Sequence, residues 1–149
     1  MIAIPNLWTH QRLKAMPATA DRLALIVDDR EEVATALAEM CRAFGFAADI
    51  AEQGVGMLAL LQRHHPQCVI VDVLMPYQDG YEALKEIAAY DPSLPVMLVS
   101  GYGDNWLEMG ISLGHAQGLT AVRAAAKPVR VQAVRAFLEA VTGGPLALR

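Results

Sequence analysis

From Leu23 onward the chain alternates two kinds of hydrophobic pattern. Leu23 to Val27 is an unbroken apolar run closed by Asp28 and Asp29, and runs without alternation suit strands covered on both faces. The next apolar positions, Val33, Leu37, Met40, Cys41 and Phe44, recur at helical spacing, with Gly45 following as a helix C-cap. Phe46 to Ala51 predicts a second strand, and Gly54 to His64 a second helix with Leu58 and Leu61 inward. Pro66 precedes a third strand, Cys68 to Asp72, and Asp79 is placed to cap a third helix carrying Leu84, Ile87 and Ala88, which Asp91-Pro92 stops. A fourth strand, Val96 to Val99, ends at Ser100-Gly101, and Asp104 to Gly114 returns to helical spacing through Trp106, Met109 and Leu113. Leu119 to Ala126 predicts a fifth strand ending at Lys127-Pro128, and Val131, Val134, Leu138 and Val141 stripe a last helix that Gly143-Gly144-Pro145 ends. Five such alternations imply an α/β fold, a doubly wound five-stranded parallel sheet with helices on both faces. In sheets of this kind the functional crevice lies outside the carboxyl ends of the strands.

Before Leu23 the pattern is different. Pro5 and Pro17 stand among scattered Leu7, Trp8, Leu13 and Met16, which reads as an N-terminal extension, partly helical between Asn6 and Ala15, that covers the domain or a partner. The expected division is an extension over 1–22, one domain over 23–142 and a tail over 143–149. At 149 residues and 54% hydrophobic the chain can bury one good core and is short for two. Its net charge of −4 gives no general basic footprint, so a nucleic-acid partner is not expected. Cys41 and Cys68 lack metal-ligand spacing and read as reduced core thiols. No apolar run approaches the ~20 residues that cross a bilayer, and residues 1–8 lack the charged and apolar regions of a signal peptide. No membrane partner and a cytoplasmic location are therefore expected.

Candidate chemistry gathers where strands end: Asp28 and Asp29 after the first, Asp72 after the third, Ser100 after the fourth and Lys127 after the fifth. Each alone has an ordinary explanation, since an Asp after a strand is often a helix cap and Lys-Pro or Ser-Gly a turn. Their joint placement on one sheet edge is far more specific. Carboxylates a few Å apart repel by about 4 kcal/mol per pair at an effective dielectric of ~20, so one takes up a proton or a cation moves in. Oxygen ligands of this kind suit Mg²⁺. With Lys127 on another side, Asp72 stays ionised and can act as a nucleophile toward a phosphoryl group, for which Ser100 offers a hydroxyl donor.

Val27-Asp28-Asp29, Val71-Asp72-Val73-Leu74-Met75-Pro76 with Asp79-Gly80 beyond, Ser100-Gly101 and Lys127-Pro128 together resemble the receiver domain of two-component response regulators, over about Leu23 to Val141. The resemblance implies a flavodoxin-like strand order, 2-1-3-4-5. It implies that Asp72 accepts phosphate from a sensor histidine kinase or histidine phosphotransfer protein, and that Ser100 and Lys127 bind the phosphoryl group. It further implies that Asp28, Asp29, Asp72 and the backbone carbonyl of Leu74 hold Mg²⁺. Such domains catalyse their own phosphorylation and dephosphorylation, and they signal to an output protein or domain that the sequence does not name. A homodimer through the fourth helix, fifth strand and fifth helix is a further family expectation.

Two departures accompany the likeness. The family's usual aromatic three positions before the lysine is Ala124 here, which motivates an alternative, a receiver that no longer takes phosphate and serves as a dimerisation or docking module. The segment Leu113 to Leu119 looks like the variant in receivers joined to cyclic-di-GMP phosphodiesterase domains. A haloacid-dehalogenase-like hydrolase also uses a strand-end Asp, Mg²⁺ and a lysine, but usually has a second Asp two residues on, where this chain has Leu74. By the receiver resemblance Leu74 and Tyr102 flank the pocket, which implies slow loss of phosphate. His64-His65 reads as a solvated helix end, His10 and His115 are assigned no role, and Trp8 and Trp106 read as packing residues.

Overall fold

The computed structural model describes residues 22–52, 55–73, 80–101 and 104–149. Strand and helix alternate as β1 (Leu23–Val27), α1 (Glu31–Ala43), β2 (Ala47–Ile50), α2 (Met57–His64), β3 (Cys68–Asp72), α3 (Gly80–Tyr90), β4 (Val96–Ser100), α4 (Asp104–Ala116), β5 (Val122–Ala126) and α5 (Val131–Thr142). The strands form one sheet in the order β2-β1-β3-β4-β5, and every pairing is parallel. The expected fold is the observed one.

The unalternated strand sequences follow from a core on each face. Ala24, Ile26, Cys68, Ile70, Met97 and Val99 point into one layer with Leu37, Cys41, Val134, Phe137 and Leu138 of α1 and α5. Leu25, Val27, Val69, Val71, Val96 and Leu98 point into the other with Leu60, Leu61, Leu84, Ile87 and Leu107 of α2, α3 and α4. Successive strand residues thus meet opposite layers, as a period of two requires. Cys41 and Cys68 are free and buried. Burial pushes the Cys41 thiol up to about 12 and Cys68 well above its ordinary value, which makes both poor nucleophiles near neutral pH.

Gly45, at φ +88°, ends α1, with its N–H donating to the Arg42 carbonyl and that of Phe46 to the Cys41 carbonyl. Gly118, at φ +103°, ends α4 in the same way, its N–H reaching His115 and that of Leu119 reaching Gly114. This is the Schellman arrangement, in which glycine takes the left-handed position and an apolar residue follows it. Phe46 and Leu119, read from sequence as the first residues of strands, are those following residues. Each is 2% exposed, and β2 and β5 start later.

Two helices are rotated from their predicted facing. Leu58 is 40% exposed, whereas Met57, Leu60 and Leu61 are buried, because at about 100° per residue Leu58 falls at the margin of the arc those three define. Trp106 and Met109 are 39% and 52% exposed, while α4 turns Leu107, Gly110 and Gly114 inward. Glycine carries no hydropathy signal, yet it lets α4 lie close to β5. A Cβ added at Gly114 would stand 3.0 Å from Cγ2 of Val122. The residues after α5 also pack on the domain. Leu146 is 8% exposed within the α1–α5 layer, its N–H donates to Glu139 Oε2 at 2.8 Å, and the Arg149 N–H donates to the Ala43 carbonyl.

Candidate functional site

Register brings the strand-end residues together. Val27 is paired with Val71, so Asp28 and Asp72 leave adjacent strands at the same level. Asp72 lies beside Val99, and Ser100, one residue on, is paired with Ala126. The Lys127 N–H then donates to the Ser100 carbonyl at 2.8 Å, which carries the β5 chain around so that its lysine faces the acids. The Lys127–Pro128 bond is cis.

Asp28 and Asp72 are nearly buried, with side chains 1% and 5% exposed, and Ser100 is fully buried. A carboxylate so placed needs compensation. Much of it comes from Lys127, whose Nζ is 2.8 Å from Asp28 Oδ2 and donates a hydrogen bond to Asp72 Oδ2 at 3.1 Å. Desolvation lowers the lysine pKa, but its contacts with Asp28 and Asp72 and their charges outweigh that effect and raise it above the usual value. The ammonium therefore stays charged at neutral pH and well above it. Asp28 Oδ1 accepts the Arg30 N–H at 2.9 Å. Asp28 Oδ2 is buried with no hydrogen-bond donor, because the nearby ammonium lies off the direction a hydrogen bond needs.

Asp28, Asp29 and Asp72 each bring one carboxylate oxygen within 4.8 Å of the others, Asp29 being only partly buried. Three hard carboxylate oxygens at this spacing fit a small divalent cation that keeps several of its waters. The Leu74 carbonyl and Tyr102 lie outside the described residues, as do Trp8, His10 and Asp79. The Arg30 backbone amide is a contact to Asp28 that sequence reading missed. Its signal was present, since an Asp commonly accepts a hydrogen bond from the N–H two residues on.

The histidines depart from expectation in one case. His64 is no solvated terminus. Its side chain is 15% exposed, with Nδ1 2.8 Å from Asp49 Oδ2 and Nε2 3.3 Å from Glu52 Oε2, and Glu52 is also paired with Arg63. His65 is exposed, in the left-handed conformation that caps α2, with Nδ1 3.2 Å from the Tyr90 hydroxyl. His115 is exposed on the last turn of α4.

The sequence from 24 to 138 matches the response regulator receiver domain. A response regulator receiver protein of Anaeromyxobacter sp. is 35% identical over 111 residues, 74% of this chain and 44% of that protein. The Regulatory protein AtoC of Escherichia coli is 36% identical over 86 residues, 58% of this chain and 19% of that protein. Among solved structures, a response regulator from Chloroflexus aurantiacus superimposes with a TM-score of 0.69 at 27% identity, covering 82% of this chain and 98% of that one. A CheY4 structure from Vibrio cholerae, at 22% identity and a TM-score of 0.68, shares the fold. The chain belongs to the response regulator receiver family, the phosphoacceptor domains of two-component signalling. The alignment spans less than half of the Anaeromyxobacter relative and about a fifth of AtoC. Among the described residues no helix is long and apolar enough to cross a membrane.

Proposed function

We propose that Asp72 is the phosphoacceptor, taking a phosphoryl group from a phosphohistidine of a sensor histidine kinase or phosphotransfer protein. The observation that carries this reading is the Lys127 ammonium held between Asp28 and Asp72. It keeps the Asp72 carboxylate ionised at a sheet edge while leaving the donor on the end of a side chain that can turn toward phosphoryl oxygens. An Asp72 oxygen attacks phosphorus, the phosphorus–nitrogen bond breaks and the imidazole leaves, so that an acyl phosphate forms on the protein. Ser100, at the end of β4, and Lys127 then donate to the phosphoryl oxygens. Mg²⁺ would be held by Asp28, Asp29 and Asp72, and when bound supplies positive charge for those oxygens.

The output is a changed surface presented to another protein or domain, working from the cytoplasm, and a ligand-like charge on Asp72 shifts the fold only as far as one conformation accommodates it better. Incubating the chain with acetyl phosphate and Mg²⁺ and measuring its intact mass tests the assignment. One phosphoryl group should appear, and it should be absent from Asp72→Ala. Equal phosphorylation of that variant would refute Asp72 as acceptor.

A further inference from the structure

We propose that His64 is a pH-dependent clamp. When protonated it fastens the last turn of α2 both to the edge strand β2 and to the connection that follows β2, and when neutral it holds only one of the two. The ring lies between its partners, its side chain 15% exposed where those of Asp49 and Glu52 are 45%. Nδ1 stands 2.8 Å from Asp49 Oδ2 on β2, and Nε2 3.3 Å from Glu52 Oε2 in the connection. Both neighbours are carboxylates, which when ionised only accept hydrogen bonds. A neutral imidazole donates through one nitrogen and carries a lone pair on the other, so one carboxylate then faces a lone pair. An imidazolium donates to both, and its charge strengthens each bond.

The other charged groups around the ring suit the same arrangement. Arg63, on the same last turn of α2, pairs with Glu52 Oε1 and leaves Oε2 to the ring. The Glu52 carboxyl lies below the usual carboxylate range, first through its own backbone N–H and then through His64 and Arg63, so it is ionised in mild acid. From α1, Arg42 reaches β2 at the Ala48 carbonyl, and His65 turns to the Tyr90 hydroxyl of α3. β2 has four residues, of which Ala48 alone is buried, and a neighbouring strand on one side only. Elements with a free edge and few buried side chains open at low cost. A clamp from α2 therefore sets how often β2 opens, and its hold weakens as pH rises and the ring loses its proton.

Urea unfolding at about pH 5.5 and about pH 8, on either side of the range in which histidines change charge, tests this on the wild-type chain, His64→Gln, Asp49→Asn and His65→Gln. The deficit of His64→Gln in folding equilibrium constant should be larger at the lower pH by a factor of about 2 to 5, the size of an exposed charge pair. Asp49→Asn should show a deficit with the same pH dependence, and His65→Gln, whose ring meets a hydroxyl, should track the wild type. Two readouts need no variant. Nitrogen-15 shifts in the folded wild-type chain should report both His64 ring nitrogens protonated at about pH 5.5, and protection of the β2 amides from hydrogen exchange, relative to those of β3, should fall by about pH 8. A His64→Gln deficit that is equal at the two pH values or larger at the higher one would overturn the clamp. So would the same pH dependence in His65→Gln, none in Asp49→Asn, a neutral His64 ring in mild acid, or β2 protection that does not fall.

Discussion

Asp28 and Asp72 compete for the same ammonium because parallel register puts them side by side, and that competition sets the behaviour of Lys127. Its pKa is raised in the folded protein, so the charged form is favoured by folding. Such a group contributes stability that is fully present below its unfolded value, 10.5, and is lost as pH rises through the higher folded value. The difference in unfolding free energy between wild type and Lys127→Met should accordingly stay flat from neutral pH to that point and then shift against the wild type. Urea titrations across alkaline pH measure it, and a difference that changed in the opposite direction would contradict the assignment. At this scale the sequence was informative about which residues meet, because strand-end positions of a parallel sheet converge whatever the intervening helices do. It was silent on which oxygen meets which donor. Nothing in the order of residues says that Arg30 takes Asp28 Oδ1 and leaves Oδ2 to the lysine.

Element boundaries were legible wherever a proline or an acid closed a run, as at Asp28, Asp72 and Asp91-Pro92. They were misread where a glycine-terminated helix is followed by an apolar residue. Phe46 and Leu119 look like strand starts in sequence, but each is the apolar residue of a helix cap and is buried there. The inward face of α4 was hidden for a related reason, since Gly110 and Gly114 supply closeness rather than hydropathy. Gly118 gives a test. With φ +103° and open space around its Cα, Gly118→Ala meets only backbone strain and should cost about 1–2 kcal/mol. Gly144, also in open space and without positive φ, should tolerate alanine within about 0.5 kcal/mol. Urea midpoints at unchanged slope measure both. Equal costs at the two positions would show that left-handed strain is not what glycine relieves in the cap of α4.

At the scale of the whole molecule, two apolar layers cover the sheet beneath the edge where Asp28, Asp72 and Lys127 meet. The α1–α5 layer extends into the C-terminal residues, where Leu146 closes it and Glu139 fixes the Leu146 amide. Leu146→Ala should destabilise the chain by about 2 kcal/mol, the low end for a buried leucine at a core margin, and a change below about 0.5 kcal/mol would mean that those residues do not cover the core. That packing was not readable from Gly143-Gly144-Pro145, which announces only that a helix stops. The layered fold serves the edge by holding Asp28 and Asp72 buried against the Lys127 ammonium. The most direct measurement of that account locates the phosphoryl bond. After acetyl phosphate treatment, borohydride reduces the acyl phosphate to homoserine, and peptide mapping reads its position. Homoserine at position 72 alone is the result this account predicts; homoserine at Asp28 or Asp29, or at no aspartate despite a phosphoryl mass gain, would contradict it.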